Sequence, residues 1–331
     1  MDRRAFVGTL ALGALTGAHV AAAQPARQVY RIGILNSRSA TSEMVGAQPR
    51  LPSVNAFLRG MRELGYVYGE HFVTDPHGGE GKPERFPNLA AELVRLQVDV
   101  IVATGPMLGA VKQATSTIPV VMTGSSDPVA SGYVQSLARP GGNITGLSLQ
   151  INETMGKRLE LLKELVPGTA PVAVLWDPRY SRAAWQAAES AARDRKWKLL
   201  SLEIRDAAEI EEAFKTATGA HAGALLVAPS GLPDAQARRI AELAAKSRLP
   251  AMYAFRFYVE AGGLIFYGVD LIENHRRAAV FVDKILKGSK PADLPIEQPT
   301  KFELVINLKA ARSIRLTIPQ PLLSRADEVI Q

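Results

Sequence analysis

The stretch DPVASGYVQSLARPGGNITG, Asp127 to Gly146, follows the apolar run IPVVM and opens with a carboxylate and a proline at the tip of a strand. Two chemistries suit Asp127. With Pro128 in the first turn of a following helix, it is a natural N-cap. Facing open space beside the hydroxyls of Ser125 and Ser126, it would instead pair with an ammonium group. Comparable polar tips recur along the chain. Asn36, Ser37 and Ser39 follow YRIGIL, and Thr104 and Gly105 follow VDVIVA. Thr104 is suited to cap the next helix, and the free N–H groups around it could equally receive a carboxylate. Trp176, Asp177 and Tyr180 follow PVAVL, Ser230 follows GALLVA, Tyr253, Phe255 and Arg256 follow LPAM, and Asp270 follows GLIFYGV. Aromatic residues are only 6% of the chain, so four at two tips draw notice. They either pack beneath the loops or form a flat apolar wall for a small molecule.

Patterns for chemistry on a substrate do not emerge. His71, His77, His221 and His275 lack metal-ligand spacing, and GPMLG and GLSLQ match neither a phosphate loop nor a nucleophile elbow. No Ser/His/Asp set assembles with any specificity. The expectation is a binding site without catalytic residues, metal or cofactor. There are no cysteines, which removes disulfides, thiolate metal sites and cysteine nucleophiles.

The elements that position these tips can be read from periodicity. YRIGIL, HFVTD, VDVIVAT and IPVVM are strand-like runs separated by helical patterns such as NAFLRGMRELG and PERFPNLAAELVRLQ. Strands with few charges and helix-length connections predict a parallel sheet covered on both faces, doubly wound under the right-handed crossover rule. After NITGLSL and ETMGKRLELLKELV the pattern restarts. PVAVLWD corresponds to YRIGIL, AGALLVAP to VDVIVATG, and LPAMYAF to IPVVMTG. This duplication of topology predicts an α/β protein of two doubly wound parallel-sheet lobes. The last third is too short for a core of its own and must complete both sheets, so the chain recrosses the junction and makes a multi-crossing hinge. RPGGNITG is expected at the first crossing, and PADLPIEQPT, with its prolines, as a stiff connector at another. The expected division is 28–146 plus 263–295 for one lobe and 147–262 plus 296–331 for the other.

The N-terminus reads as an export signal over residues 1–23. Arg3 and Arg4 precede an apolar stretch from Phe6 to about Ala18, and small residues lead to a cleavage site after Ala23. The paired arginines and a glycine-diluted apolar core suit the twin-arginine route, with an ordinary secretory signal as the alternative. The apolar part is too short to span about 30 Å of hydrocarbon. Lacking a cysteine for lipid attachment, the exported chain is expected free in the periplasm, as a monomer. The formal charge of +7 is scattered rather than clustered, which argues against a nucleic-acid partner.

The runs ATSTIPVV, DPVASGYVQSLARPGGNITGLS, KRLELLKELVPG, AELAAKSRLPAMYAFRFYVEAGGLIFYGVD, RRAAVFVDKILKGSKPADLPIEQPTKFELVINLKAARSI and LTIPQPLLSRADEVIQ resemble the ABC-transporter substrate-binding proteins of the large proteobacterial family related to tryptophan-binding proteins. The resemblance runs from Tyr30 to Gln331. It implies a type I periplasmic-binding-protein fold that holds a small-molecule ligand between two lobes and delivers it to the permease subunits of an ABC importer. Better-understood relatives bind aromatic amino acids, so an amino acid or another small carboxylate is the implied solute. Ligand contacts in the family come from the strand-tip loops, which carries forward Asn36, Thr104, Ser125, Asp127, Trp176 and Tyr253. Three positions depart from the pattern. DPHGGEGKPERF replaces a basic or aromatic stretch, the loop NSRSATSEMVGAQPR lacks a histidine-proline motif, and Arg315 stands where a glycine is usual. A module presenting solute to a membrane sensor, or a periplasmic enzyme on a two-lobed α/β fold, are the alternatives.

Overall fold

The computed structural model describes residues 29–331 apart from Thr169, and the expected export signal lies outside the described residues. In the first lobe, β1 (Tyr30–Asn36), β2 (Phe72–Gly78), β3 (Val100–Ala103), β4 (Val120–Ser125) and β5 (Ile144–Ser148) alternate with α1 (Pro52–Glu63), α2 (Phe86–Arg95) and α3 (Leu108–Ala114). The strands form a five-stranded parallel sheet in the order β2-β1-β3-β4-β5. Burial of Val54, Phe57, Leu58 and Met61 gives α1 one apolar face, the spacing of a helix laid on a sheet. Opposite it, Phe86, Ala90 and Leu93 of α2 cover the other face with Leu35, Ile101 and Met122.

The second lobe repeats the plan. Its elements are α4 (Ile151–Leu165), β6 (Val172–Trp176), α5 (Arg182–Asp194), β7 (Leu199–Glu203), α6 (Glu209–Gly219) and β8 (Ala224–Val227). They continue with α7 (Gly231–Ala235), α8 (Ala237–Lys246), β9 (Ala251–Tyr253), α9 (Arg256–Glu260) and β10 (Ile265–Gly268). The order β7-β6-β8-β9-β10 copies that of the first lobe, and the seven-stranded sheet is finished by β11 (Glu303–Asn307), antiparallel to β10, and β12 (Glu328–Ile330), parallel to β11. The expected pair of doubly wound α/β lobes is present.

The crossings differ in detail from the expectation. RPGGNITG does not leave the first lobe. It leads into β5, and the chain crosses two residues after that strand, through Leu149 and Gln150. Nor does the chain return from residue 263, because β10 pairs with β9 and β11 in the second sheet. Only then does it cross back, and α10 (Leu271–Leu286) packs Ala278, Phe281 and Val282 against Phe57 and Met61 of α1. The third passage follows Pro291–Asp293. The Glu297 backbone bonds Gly146 and Ser148 beside β5, at 2.9 Å each, before the chain enters β11. Gly146 has φ +125°, and a Cβ there would stand 2.2 Å from the Met122 carbonyl oxygen. Only glycine lets β4 and β5 approach this closely where the strands also shift register.

Several helix ends follow one scheme. After α11 (Leu308–Ser313), Arg315 takes φ 59° and the Leu316 N–H reaches the Ala311 carbonyl at 2.9 Å, the closure that glycine normally serves. Lys196, His221 and Arg248 do the same after α5, α6 and α8. Arg315 is exposed, so its side chain returns little for the left-handed backbone. Arg315→Gly is expected to raise stability by about 1 kcal/mol, read as a higher urea midpoint at unchanged slope.

Candidate functional site

In the first lobe, the tip residues mostly hold one another. Asn36 Oδ1 accepts from the N–H groups of Arg38 and Ser39 at 2.9 and 3.0 Å, which fixes the loop after β1. The Ser37 N–H donates to Thr104 Oγ1 at 3.2 Å, and the Ser37 carbonyl accepts from Gly81 at 2.8 Å. The Thr104 hydroxyl therefore ties two loops together and makes no helix cap. Gly105 leaves no room for a side chain, since a Cβ would sit 2.6 Å from the Gly124 carbonyl oxygen. Ser125 is buried at the end of β4, and its carbonyl accepts from Leu149 at 2.8 Å. Asp127 caps a turn rather than a helix. Its Oδ1 accepts from Ala130 N–H at 2.9 Å, and no helix follows Pro128. It is half-buried and its neighbour Ser126 is exposed.

The second lobe corrects the reading of the aromatic residues. Trp176 is 3% exposed, stacks on Trp185 at 5.4 Å, and donates its indole N–H to Ser201 Oγ at 2.8 Å. With its polar handle used and both faces packed, it belongs to the core. Tyr253 is also a core residue. Its ring lines a cavity of about 10 Å³ with Gly262, Gly263, Ala310 and Ile314, all within the second lobe. Tyr180, 73% exposed, lies beneath the Arg179 guanidinium. Asp177 is buried and held by Arg179 through two bonds of 2.9 and 2.7 Å, so it has no charge free for a ligand. Asp270 caps α10 by accepting from Ile272 and Glu273. The Ser230 Oγ, like the Tyr253 hydroxyl, is buried and has no partner among the described residues. Phe255 remains a half-buried surface residue stacked on Phe257 at 5.3 Å.

Four residues that the sequence reading left out complete this region. Phe257 stacks on Tyr258 at 5.0 Å, and Tyr258 on Tyr253 at 4.5 Å, so an aromatic column runs from the loop surface into the core. The Tyr258 hydroxyl donates to Asp234 Oδ1 at 3.1 Å. Arg38, from the first lobe, lays its guanidinium over the Phe257 ring at 3.4 Å from the centroid. Asp234 is 8% exposed, and burial pushes its carboxyl up to about 7 against the opposing pull of Arg38 and Tyr258. The strand-tip loops of the two sheets therefore meet directly.

Beneath them lies Arg158, fully buried in α4. Its Nε donates to the Tyr267 carbonyl at 2.8 Å and its Nη1 to that of Ile151 at 3.1 Å, while Nη2 has no partner among the described residues. Burial without a carboxylate pushes its pKa down to about 9. Ile151 begins α4 just after the first crossing, and Tyr267 lies three residues before Asp270 at the second. One side chain thus braces two passages of the hinge. Its signal was in the sequence, since Arg158 falls on the same helical face as Ile151, Met155, Leu159 and Leu162.

The family model described as ABC transporter substrate binding protein matches residues 40–330. The chain belongs to the ABC transporter substrate-binding protein family. This substrate-binding protein is 25% identical over 278 residues to a tyrosine-binding protein of Clostridioides difficile (strain R20291), covering 82% of this chain and 80% of the relative. Its fold is that of the Streptococcus pneumonia ABC domain crystallised with L-Trp, with a TM-score of 0.81, 24% identity, and 92% and 100% of the two chains covered. A conserved domain protein from Vibrio cholerae gives a TM-score of 0.80 at 24% identity over 91% of this chain and 100% of that one.

The raised carboxyl of Asp234 has a measurable sign. An acid whose folded-state pKa exceeds its unfolded value near 4 contributes stability that is complete below that value and is lost as pH rises through about 7. The thermal midpoint of the substrate-binding protein is expected to carry a downward component between pH 4 and pH 8. Asp234→Asn, which keeps the shape and the Tyr258 hydrogen bond, should reduce it; an unchanged pH profile in this variant would contradict the assignment.

Proposed function

We propose that this substrate-binding protein captures a small carboxylate, an amino acid foremost, between its two lobes and presents it to the permease of an ABC importer. The observation that carries the reading is the meeting of the two sets of strand-tip loops, each set at the C-terminal ends of parallel strands, where α/β sheets bind small molecules. The tyrosine-binding relative and the fold shared with the L-Trp complex favour an aromatic amino acid, and the half-buried Phe255 offers a flat surface for its ring. In this reading, backbone N–H groups and hydroxyls at the tips, Ser125 among them, receive the carboxylate. Asp127 takes the ammonium on Oδ2, since Oδ1 serves the turn. Ser230, with a buried hydroxyl lacking a partner among the described residues, contributes from the second lobe.

The action is capture by closure and not chemistry. A solute favours the closed form only by as much as it binds that form better than the open one. We place the protein in the periplasm as a monomer, exported by the N-terminal signal and, by its paired arginines, through the twin-arginine route. Among the described residues no helix is long and apolar enough to cross a membrane.

Thermal denaturation of the purified protein against amino acids, purines, sugars and small carboxylates tests the solute class. At one hundred times its dissociation constant, a true ligand adds about 2.7 kcal/mol to stability. Tryptophan and tyrosine are expected to shift the midpoint most, and a shift by sugars or purines alone would exclude the amino-acid reading. Asp127→Ala is expected to weaken binding of an amino acid more than tenfold. Unchanged affinity together with lowered stability would leave Asp127 as a turn cap only.

A further inference from the structure

Arg38 leaves the first lobe from the loop after β1 and ends over a ring of the second. In the first sheet, β1 and β2 lie at the edge away from β5, through which the chain crosses. With strands about 4.8 Å apart, β1 stands roughly 14 Å from that crossing, so a contact there acts on a long lever. A second touch lies beside it, where a Cβ on Gly81 would come within 3.3 Å of the Ala235 Cβ.

The chemistry on the far side suits a guanidinium. Phe257 presents the face of its ring to Arg38 and is also stacked with Phe255 and Tyr258. Asp234 lies behind, bonded to the Tyr258 hydroxyl. Among the carboxylates that act on Arg38, Asp234 is the foremost and Glu260 the other. Burial holds the Asp234 acid high, and Arg38 is the largest influence drawing it back. Without the first lobe, this carboxylate loses the positive charge of Arg38.

We infer that Arg38, Phe257 and Asp234 form a latch at the mouth of the cleft, which stabilises the closed arrangement through a guanidinium laid on an aromatic face in front of a buried carboxylate. These are positioning residues. They act on the lobes rather than on the solute, so the latch sets affinity without choosing the ligand, and the inference stands apart from the identity of the solute.

The absence of cysteine makes the test direct. Glu43→Cys and Arg238→Cys, both at exposed positions on opposite lobes, place spin labels across the mouth, and pulsed electron paramagnetic resonance reads their separation in the purified protein with no solute added. The wild-type background is expected to show a short-distance closed population. Because Arg38 is exposed, Arg38→Ala and Phe257→Leu should each lower the closed-to-open ratio by roughly two- to five-fold, the range of a solvent-exposed cation–π contact. Asp234→Asn should lower it alone and add nothing on top of Arg38→Ala. A wild type wholly open without solute overturns the latch. So do distances unchanged in Arg38→Ala, or an Asp234→Asn effect equal with and without Arg38.

Discussion

A parallel strand covered on both faces cannot offer polar chemistry along its length. Every backbone group there is spent in the ladder and every side chain points into a helix layer. That constraint governs this protein twice. Ile32, Leu35, Val100, Ile101 and Val121 in one sheet, and Val172, Leu175, Leu225, Leu226 and Phe266 in the other, are all buried. Groups able to meet a solute can therefore appear only where the strands stop, and the loops that carry them are short because the next helix must begin at once. Joining two such sheets with their strand ends face to face converts a limitation of each into a cleft between them.

The join is a packed structure in its own right. The chain passes between lobes beside β5, after β10 and before β11, and each passage is fixed by a different means. Backbone bonds from Glu297 hold one next to β5, the Asp270 side chain opens α10 at another, and Arg158 grips carbonyls near two of them. A buried guanidinium without a carboxylate costs stability through lost hydration, but satisfied carbonyls at a pivot keep the passages in register. These braced segments make the junction a packed pivot rather than a loose tether.

Architecture was legible in the amino-acid order, because the alternation of apolar strands with amphipathic helices is itself the physics of burial. The site was legible only in part, and the reasons lie in particular residues. Loop tips were found from strand ends, yet which side chains remain free there depends on neighbours far along the chain. Asp177 is neutralised by Arg179, Asn36 is spent on its own loop, and Trp176 finds Ser201 across the sheet. Scarcity of aromatics made Trp176 and Tyr253 look like surface features, whereas a large ring at the last position of a strand packs as readily under a helix. Phe257 and Asp234 carry no such strand-end signal, because they sit in short helices, α9 and α7, one turn beyond the tips. Arg38 gains meaning only once the second lobe is in place.

The exchange of C-terminal segments means that neither lobe is a contiguous length of chain. Val54, Phe57 and Met61 of the first lobe are covered by α10, which is drawn from the far end of the polypeptide. A piece ending after β5 would emerge from the ribosome with that apolar stripe bare, and would have to wait for more than a hundred residues of synthesis before its own cover arrived. Folding of the first half during synthesis therefore stays incomplete until nearly the whole polypeptide is made, a demand that favours prolonged chaperone shelter.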